Sequence, residues 1–232
     1  MTSPTPTTIP RSRVTVLAVT TGVLMAGYLL LRPYGDADGG ATLGAAEAFS
    51  SPLWLVSHLA GAASLVALAA LWSLLTTGPL RWAGPVGAAL VLPYYGAETF
   101  ALHEIGSRAL EGDRDVLNLV SAVRDNPTAV TLFAVGLTAL AVAGIVAALS
   151  WLRMHRPGRA AVAFLPLAVI AAMFLPQFFV PPAGRMAYGL AFAAAAVYAA
   201  LSAASAARDT TGSSPARGRS VAEPSRVRQG EA

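Results

Sequence analysis

The chain has 232 residues, of which 55% are hydrophobic and only 12% charged, about half the charged share of an ordinary soluble domain. A mean hydropathy of +0.59 excludes an intrinsically disordered chain and argues against a water-soluble enzyme. There is no cysteine, and all 16 basic residues are arginine. Disulfides, thiolate metal sites, cysteine nucleophiles, a lysine-bearing phosphate loop and Schiff-base chemistry are therefore excluded.

In chain order, residues 1–13, with prolines at 4, 6 and 10 among threonines, read as a disordered cytoplasmic leader. A bilayer core takes ~20 mostly apolar residues, and six stretches qualify. They are residues 14–31, 52–75, 82–102, 129–152, 160–180 and 186–207. The first exceeds the length of a signal-peptide core and lacks a small-residue cleavage site after it, so it is expected to be retained. Residues 33–51 and 103–128 are the long connections. In the second, Val116, Leu117, Leu119, Val120 and Val123 share one helical face. Asp113 and Asp115 suit that helix's N-terminus, and Asn126-Pro127 reads as the cap and first turn of the next span. Residues 208–232, rich in Gly, Ser, Pro and Arg, read as a disordered cytoplasmic tail. The expected fold is all-α, a polytopic membrane protein built as a six-transmembrane-helix bundle.

Arginine distribution orients such a bundle. With the N-terminus inside, Arg11, Arg13, Arg81, Arg153, Arg156, Arg159, Arg208, Arg217, Arg219, Arg226 and Arg228 lie inside. Arg32, Arg108, Arg114, Arg124 and Arg185 lie outside. Both termini are expected in the cytoplasm. Arginine without lysine in an alanine-rich chain suggests a high-GC bacterial genome, hence a bacterial cytoplasmic membrane. The partners implied are the lipid bilayer and anionic headgroups at the inner arginines. Nucleic acid is not one of them, because the arginines flank membrane spans or lie in a mixed-charge tail; His155, among Arg153, Arg156 and Arg159, reads as a headgroup contact.

Membrane helices pack through small residues. Ser57, Gly61 and Ser64 form one such stripe, Gly84 and Gly87 another, and Ala191, Ala195 and Ala199 a third. Pro85, Pro93, Pro166 and Pro176 are each expected to free a backbone carbonyl. The strings ALVLPYYG and AMFLPQFF suggest a repeated hairpin.

The polar residues concentrate in LPYYGAETFALHEIG, residues 92–106. Glu98 is the one acid inside an expected span, and such acids normally face the bundle interior with a partner. His58 is the one histidine inside a span. At 1.5 Å per residue it lies roughly 9 Å from the outer end of its span, and Glu98 about 7 or 8 Å from the outer end of the next. A His58–Glu98 pair is expected, direct or through water. Tyr94 and Glu98 form one row, and Tyr95, Thr99 and His103 a second; Tyr28, Gln177 and Tyr188 reach the same level. The candidate binding set is His58, Tyr94, Tyr95, Glu98, Thr99, His103 and Gln177, around a polar pocket facing outward.

Four readings stand at this point: a His58–Glu98 pair that only locks helices, in a structural or accessory protein; a site that binds or translocates a small solute, proton or cation, with Glu98 titrating; a divalent-metal site using His58, Glu98, His103 and Glu104; and a membrane hydrolase in which Ser57 or a metal-activated water is the nucleophile. No HxxxH or HExxH spacing is present. Ser57 and His58 diverge by ~100° on a helix. His58 and His103 differ in depth, which disfavours a bis-histidine haem. No resident cofactor is expected apart from that divalent metal. The runs SSPLWLVSHLAG, LPYYGAETFALHEIG and FLPQFFVPPAGR resemble small multi-spanning membrane proteins of actinobacteria. The resemblance implies a polytopic helical fold and carries neither an activity nor functional residues.

Overall fold

The structure is a computed structural model that describes residues 11–37, 39–154 and 161–211, with side chains described as far as residue 205. The expected leader up to residue 10, the tail from 212 onward, and His155, Arg156 and Arg159 lie outside the described residues. Among the described residues the chain is all-helical: α1 (Arg11–Leu31), α2 (Leu43–Ser50), α3 (Pro52–Leu75), α4 (Ala83–Gly96), α5 (Leu102–Leu110), α6 (Leu119–Arg124), α7 (Pro127–Met154), α8 (Leu165–Ala172) and α9 (Pro182–Thr211). Among the described residues four helices are long and apolar enough to cross a membrane: α1, α3, α7 and Pro182–Ser205 within α9. Helix α1 starts at Arg11, inside the expected leader, and α9 runs to Thr211, past the expected start of the tail.

The remaining two expected spans are helical but broken. A π turn over Ala97–Ala101 joins α4 to α5, so helical turns continue from 83 to 110. Residues 161–179 form a turn, then α8, then a 3-10 turn Pro176–Phe179. The prolines differ in their effect. Pro85 sits in the first turn of α4 and Pro166 in the first turn of α8, where an N–H has no helical acceptor anyway. Of these four, only Pro93 is interior to a helix. Pro176 opens a 3-10 turn instead, so the two similar strings do not build a repeated hairpin.

The long elements pack as a closed ring in the order α1, α3, α4, α7, α8, α9 and back to α1, with α3 also touching α7. Small residues set the approaches, as their spacing predicts. The Ser57, Gly61, Ser64 stripe is fully inside, and the Ser64 hydroxyl donates to the Thr21 carbonyl of α1 at 2.8 Å. A Cβ on Gly61 would lie 2.9 Å from Tyr28 Cγ and 3.1 Å from Tyr95 Cε1. On α9 the buried row is Ala196, Ala199 and Ala203, whereas Ala191 is exposed; Gly22 of α1 meets Ala196. Where α4 crosses α7 the contact is backbone to backbone, since a Cβ on Gly136 would sit 2.7 Å from the Gly87 carbonyl oxygen and 2.6 Å from Val91 Cγ2. Gly136→Ala is therefore expected to lose about 1–3 kcal/mol by overpacking. Gly27→Ala, with nothing within 4 Å, should be neutral or slightly stabilising. Melting of the two detergent-solubilised variants checks the contrast.

One end of the ring carries a cap made of α2, α5, the 3-10 turn Arg114–Asn118 and α6. Its apolar cluster, including Phe49, Trp54, Leu102, Ile105, Leu117 and Val120, is separate from that of the ring. Leu117 and Val120 are buried as the helical pattern of residues 114–123 predicts, although its first half is a 3-10 turn. The Asn126 side chain accepts from the Ala129 N–H at 3.1 Å and caps α7 as expected. Helix α2 was not anticipated in the connection 33–51. Many apolar side chains point away from the ring, among them Val16, Val23, Val56, Val135, Leu190 and Leu201.

Candidate functional site

A cavity of about 690 Å³ opens between the cap and the ring. Its wall draws on the end of α1, the loop after it, α4 and the π turn, the end of α6, the start of α7, the turn before α9 and the first turn of α9. Tyr28, Tyr94, Phe133 and Phe178 supply an aromatic side, and Arg32, Asp36, Glu98, Arg124, Asp125 and Arg185 the charges.

The charges are interlocked. Asp36 Oδ2 accepts from Arg32 Nη2 and from Arg124 Nη2, each at 2.7 Å. Arg124 Nη2 also lies 3.0 Å from Glu98 Oε1. Helix α1 thus reaches the π turn through a loop acid and the last residue of α6. The Arg32 and Asp36 side chains are only 5% and 6% exposed. Burial acts against the charge of Asp36, but the two guanidiniums outweigh it and hold its carboxyl below the usual carboxylate range. Burial pushes the neighbouring Tyr34 phenol up to about 12, with Arg32 opposing; its hydroxyl donates to the Leu29 carbonyl at 2.7 Å.

Trp54 is the pivot. It is wholly buried, with Arg32 4.9 Å and Arg124 5.9 Å from its ring centroid. Phe49 packs edge-on at 4.8 Å and His58 lies over it at 4.0 Å. Its indole N–H donates to the Glu98 carbonyl at 3.3 Å.

His58 and Glu98 make no direct hydrogen bond. Glu98 is met by Arg124, and His58 donates from Nδ1 to the Trp54 carbonyl at 2.8 Å, leaving Nε2 without a hydrogen-bond partner. The Trp54 indole lies against the His58 ring and donates to the backbone of the π turn. Of the candidate set, Tyr94 and Glu98 line the cavity. Tyr95 and His58 lie behind Tyr28, with ring centroids 5.8 and 5.3 Å from it. Thr99 turns its hydroxyl back to the Tyr95 carbonyl at 2.5 Å. His103 donates from Nδ1 to the Phe49 carbonyl at 2.8 Å and so ties α5 to α2. Gln177 is buried on its 3-10 turn with Oε1 unpartnered, and does not line the cavity. Ser57 donates to the Trp54 carbonyl, so it makes no dyad with His58. Among the described residues no three His, Asp or Glu side chains converge as metal ligands.

Sequence reasoning missed Arg32, Asp36, Arg124 and Arg185 as site residues. A signal was there: Arg32 and Asp36 are four apart just past an apolar run, and three of the five arginines on the minority side meet here. Comparisons with protein families, curated proteins and solved structures gave no match.

Proposed function

We propose that the chain is a six-span membrane bundle with both termini cytoplasmic, and that the cavity at its outer end binds a small solute. The observation that carries this is the buried Arg32–Asp36–Arg124–Glu98 network on the wall of a roomy cavity, at one end of a bundle whose exterior is apolar. An acid inside a membrane span is costly and points to a functional site by default, and Glu98 is the network's member within a span. The fifth and sixth spans needed to complete the bundle are supported by the helical rod 83–110 and by residues 161–179. The latter touch the ring at both ends: Phe164 packs on Trp151 and Phe178 on Phe133.

Below Tyr28, His58 and Tyr95 the ring is filled by Leu65, Leu68, Trp72, Val91, Leu137 and Leu140. That favours binding over passage in this conformation. The competing reading is an accessory protein whose network only locks helices, and it draws on the pairing of both acids with arginine.

Single cysteines test the orientation. In the cysteine-free chain, Asp113→Cys is expected to react with impermeant maleimide added to intact cells and Arg81→Cys only after permeabilisation, both being at exposed positions. The reverse pattern, or labelling of both from one side, overturns the topology. For binding, phenyl phosphate, benzylammonium and phenyl glucoside serve as small probes at millimolar concentration. At least one is expected to raise the melting temperature of the wild-type protein, and Val130→Trp, which fills the cavity from α7, should abolish the shift. No shift with any probe leaves the lock.

A further inference from the structure

The geometry points to an anionic ligand, a carboxylate or phosphate joined to an aromatic or alkyl body, whose charge is met by Arg185. This rests on the cavity being a binding site. Within the network the charges cancel: Arg32 and Arg124 face Asp36 and Glu98. Arg185 stands apart. It lines the same cavity, and among the described residues no carboxylate lies within ion-pair distance of it. Its partners are backbone carbonyls, with Nε donating to Val180 at 3.1 Å and Nη2 to Phe178 at 2.6 Å. Those two bonds fix the guanidinium plane and leave three of its five N–H donors. A planar fork held in this way suits bidentate capture of a carboxylate or phosphate. Arg185 also lies in the first turn of α9, where the helix backbone contributes positive partial charge.

The rest of the wall fits the other half of such a molecule. The ring of Phe178, whose carbonyl anchors Arg185, packs edge-on against Phe133 at 5.3 Å, and Phe133 stacks on Tyr94 at 4.5 Å. An aromatic or alkyl body can lie on these faces while its anion reaches Arg185. Of the three acids on the wall, Asp36 and Glu98 are held by arginine, and Asp125 is exposed at the rim.

The test uses full-length protein in phosphatidylcholine nanodiscs, with phenyl phosphate, inorganic phosphate and benzylammonium titrated calorimetrically against empty discs. Phenyl phosphate is expected to bind at least tenfold more tightly than either of the others. Arg185→Gln should weaken it at least tenfold, and Arg185→Lys should keep the preference for phenyl phosphate over benzylammonium. The lysine variant retains the charge if the glutamine variant melts early. Adding phosphatidylglycerol to the discs separates the sources. Competition with phenyl phosphate identifies a lipid headgroup, and absence of competition a free amphipathic anion; either upholds an anion site. Equal binding of benzylammonium and phenyl phosphate, both lost in Val130→Trp, overturns the anion assignment and leaves the pocket standing. Binding of phenyl phosphate by Arg185→Gln as by wild type removes Arg185 from it. No binding by any probe sinks both.

Discussion

Asp36→Ala is expected to destabilise the protein by about 3–5 kcal/mol, the cost of removing one partner from a buried ion pair. The carboxylate holds two guanidiniums through a single oxygen. Without it Arg32 stays buried, with its Nε already lacking a partner, and Arg124 keeps only Glu98. The exposed pair of Arg108 and Glu104, at 2.6 Å and 62% exposure on each side, supplies the contrast: Glu104→Ala should leave the melting temperature nearly unchanged, because solvent screens the pair. Melting of both variants in one detergent compares them directly. The pH dependence has a definite sign. The folded carboxyl of Asp36 lies below its ordinary 3.8, so its contribution is fully present above that value and fades as pH falls below it. Wild type should lose melting temperature below pH 3.8 more steeply than Asp36→Ala. Parallel profiles would show that the pair contributes nothing.

Trp54→Ala is expected to cost about 3–5 kcal/mol as a buried large-to-small change, and to do more to the site than its volume suggests. The indole lies against His58 and beside both Arg32 and Arg124, and donates to the backbone of the π turn. Its loss removes the body against which both guanidiniums lie. Trp54→Phe keeps one ring but loses the N–H to the Glu98 carbonyl and part of the buried indole, so a smaller loss than for alanine, about 1–3 kcal/mol, is expected. If the two variants melt alike, the ring is not the pivot of the network. The fluorescence of Trp54 is itself a probe, since the phenylalanine variant removes one of only four tryptophans.

Much of the fold is legible in the residues alone. Long apolar runs give α1, α3, α7 and α9, the Ser57, Gly61, Ser64 stripe gives the inner face of α3, and Asn126 gives the start of α7. Glu98 stands out as the lone acid in an apolar stretch. Its partner does not, because Arg124 ends a short helix 26 residues further along, and no periodicity links the two positions. The rows Tyr94–Glu98 and Tyr95–Thr99–His103 assume an unbroken α-helix. The π turn changes the rotation between them, so His103 faces α2 instead of the cavity. Helix α2 escaped because its apolar face packs on the cap, away from any span-length run. Arg32 and Arg185 bear on orientation through their number alone, and a number says nothing of where each side chain goes.

The π turn also bears on chain length. A π turn takes one more residue than the α-helical path it replaces. Beyond it, Gly106 meets α2 so closely that a Cβ would lie 2.7 Å from the Ala46 carbonyl oxygen and 2.7 Å from Phe49 Cβ. That face is presented to α2 only with the additional residue in place. A chain lacking one of the uncharged residues between 97 and 101 would keep its hydropathy profile and every charge. It would still turn Gly106 off α2 by roughly 100°, and carry His103 away from the Phe49 carbonyl. Relatives with such a deletion would align well along their spans and yet have a differently seated cap, so insertions and deletions at this turn are a more telling record of the site than substitutions are.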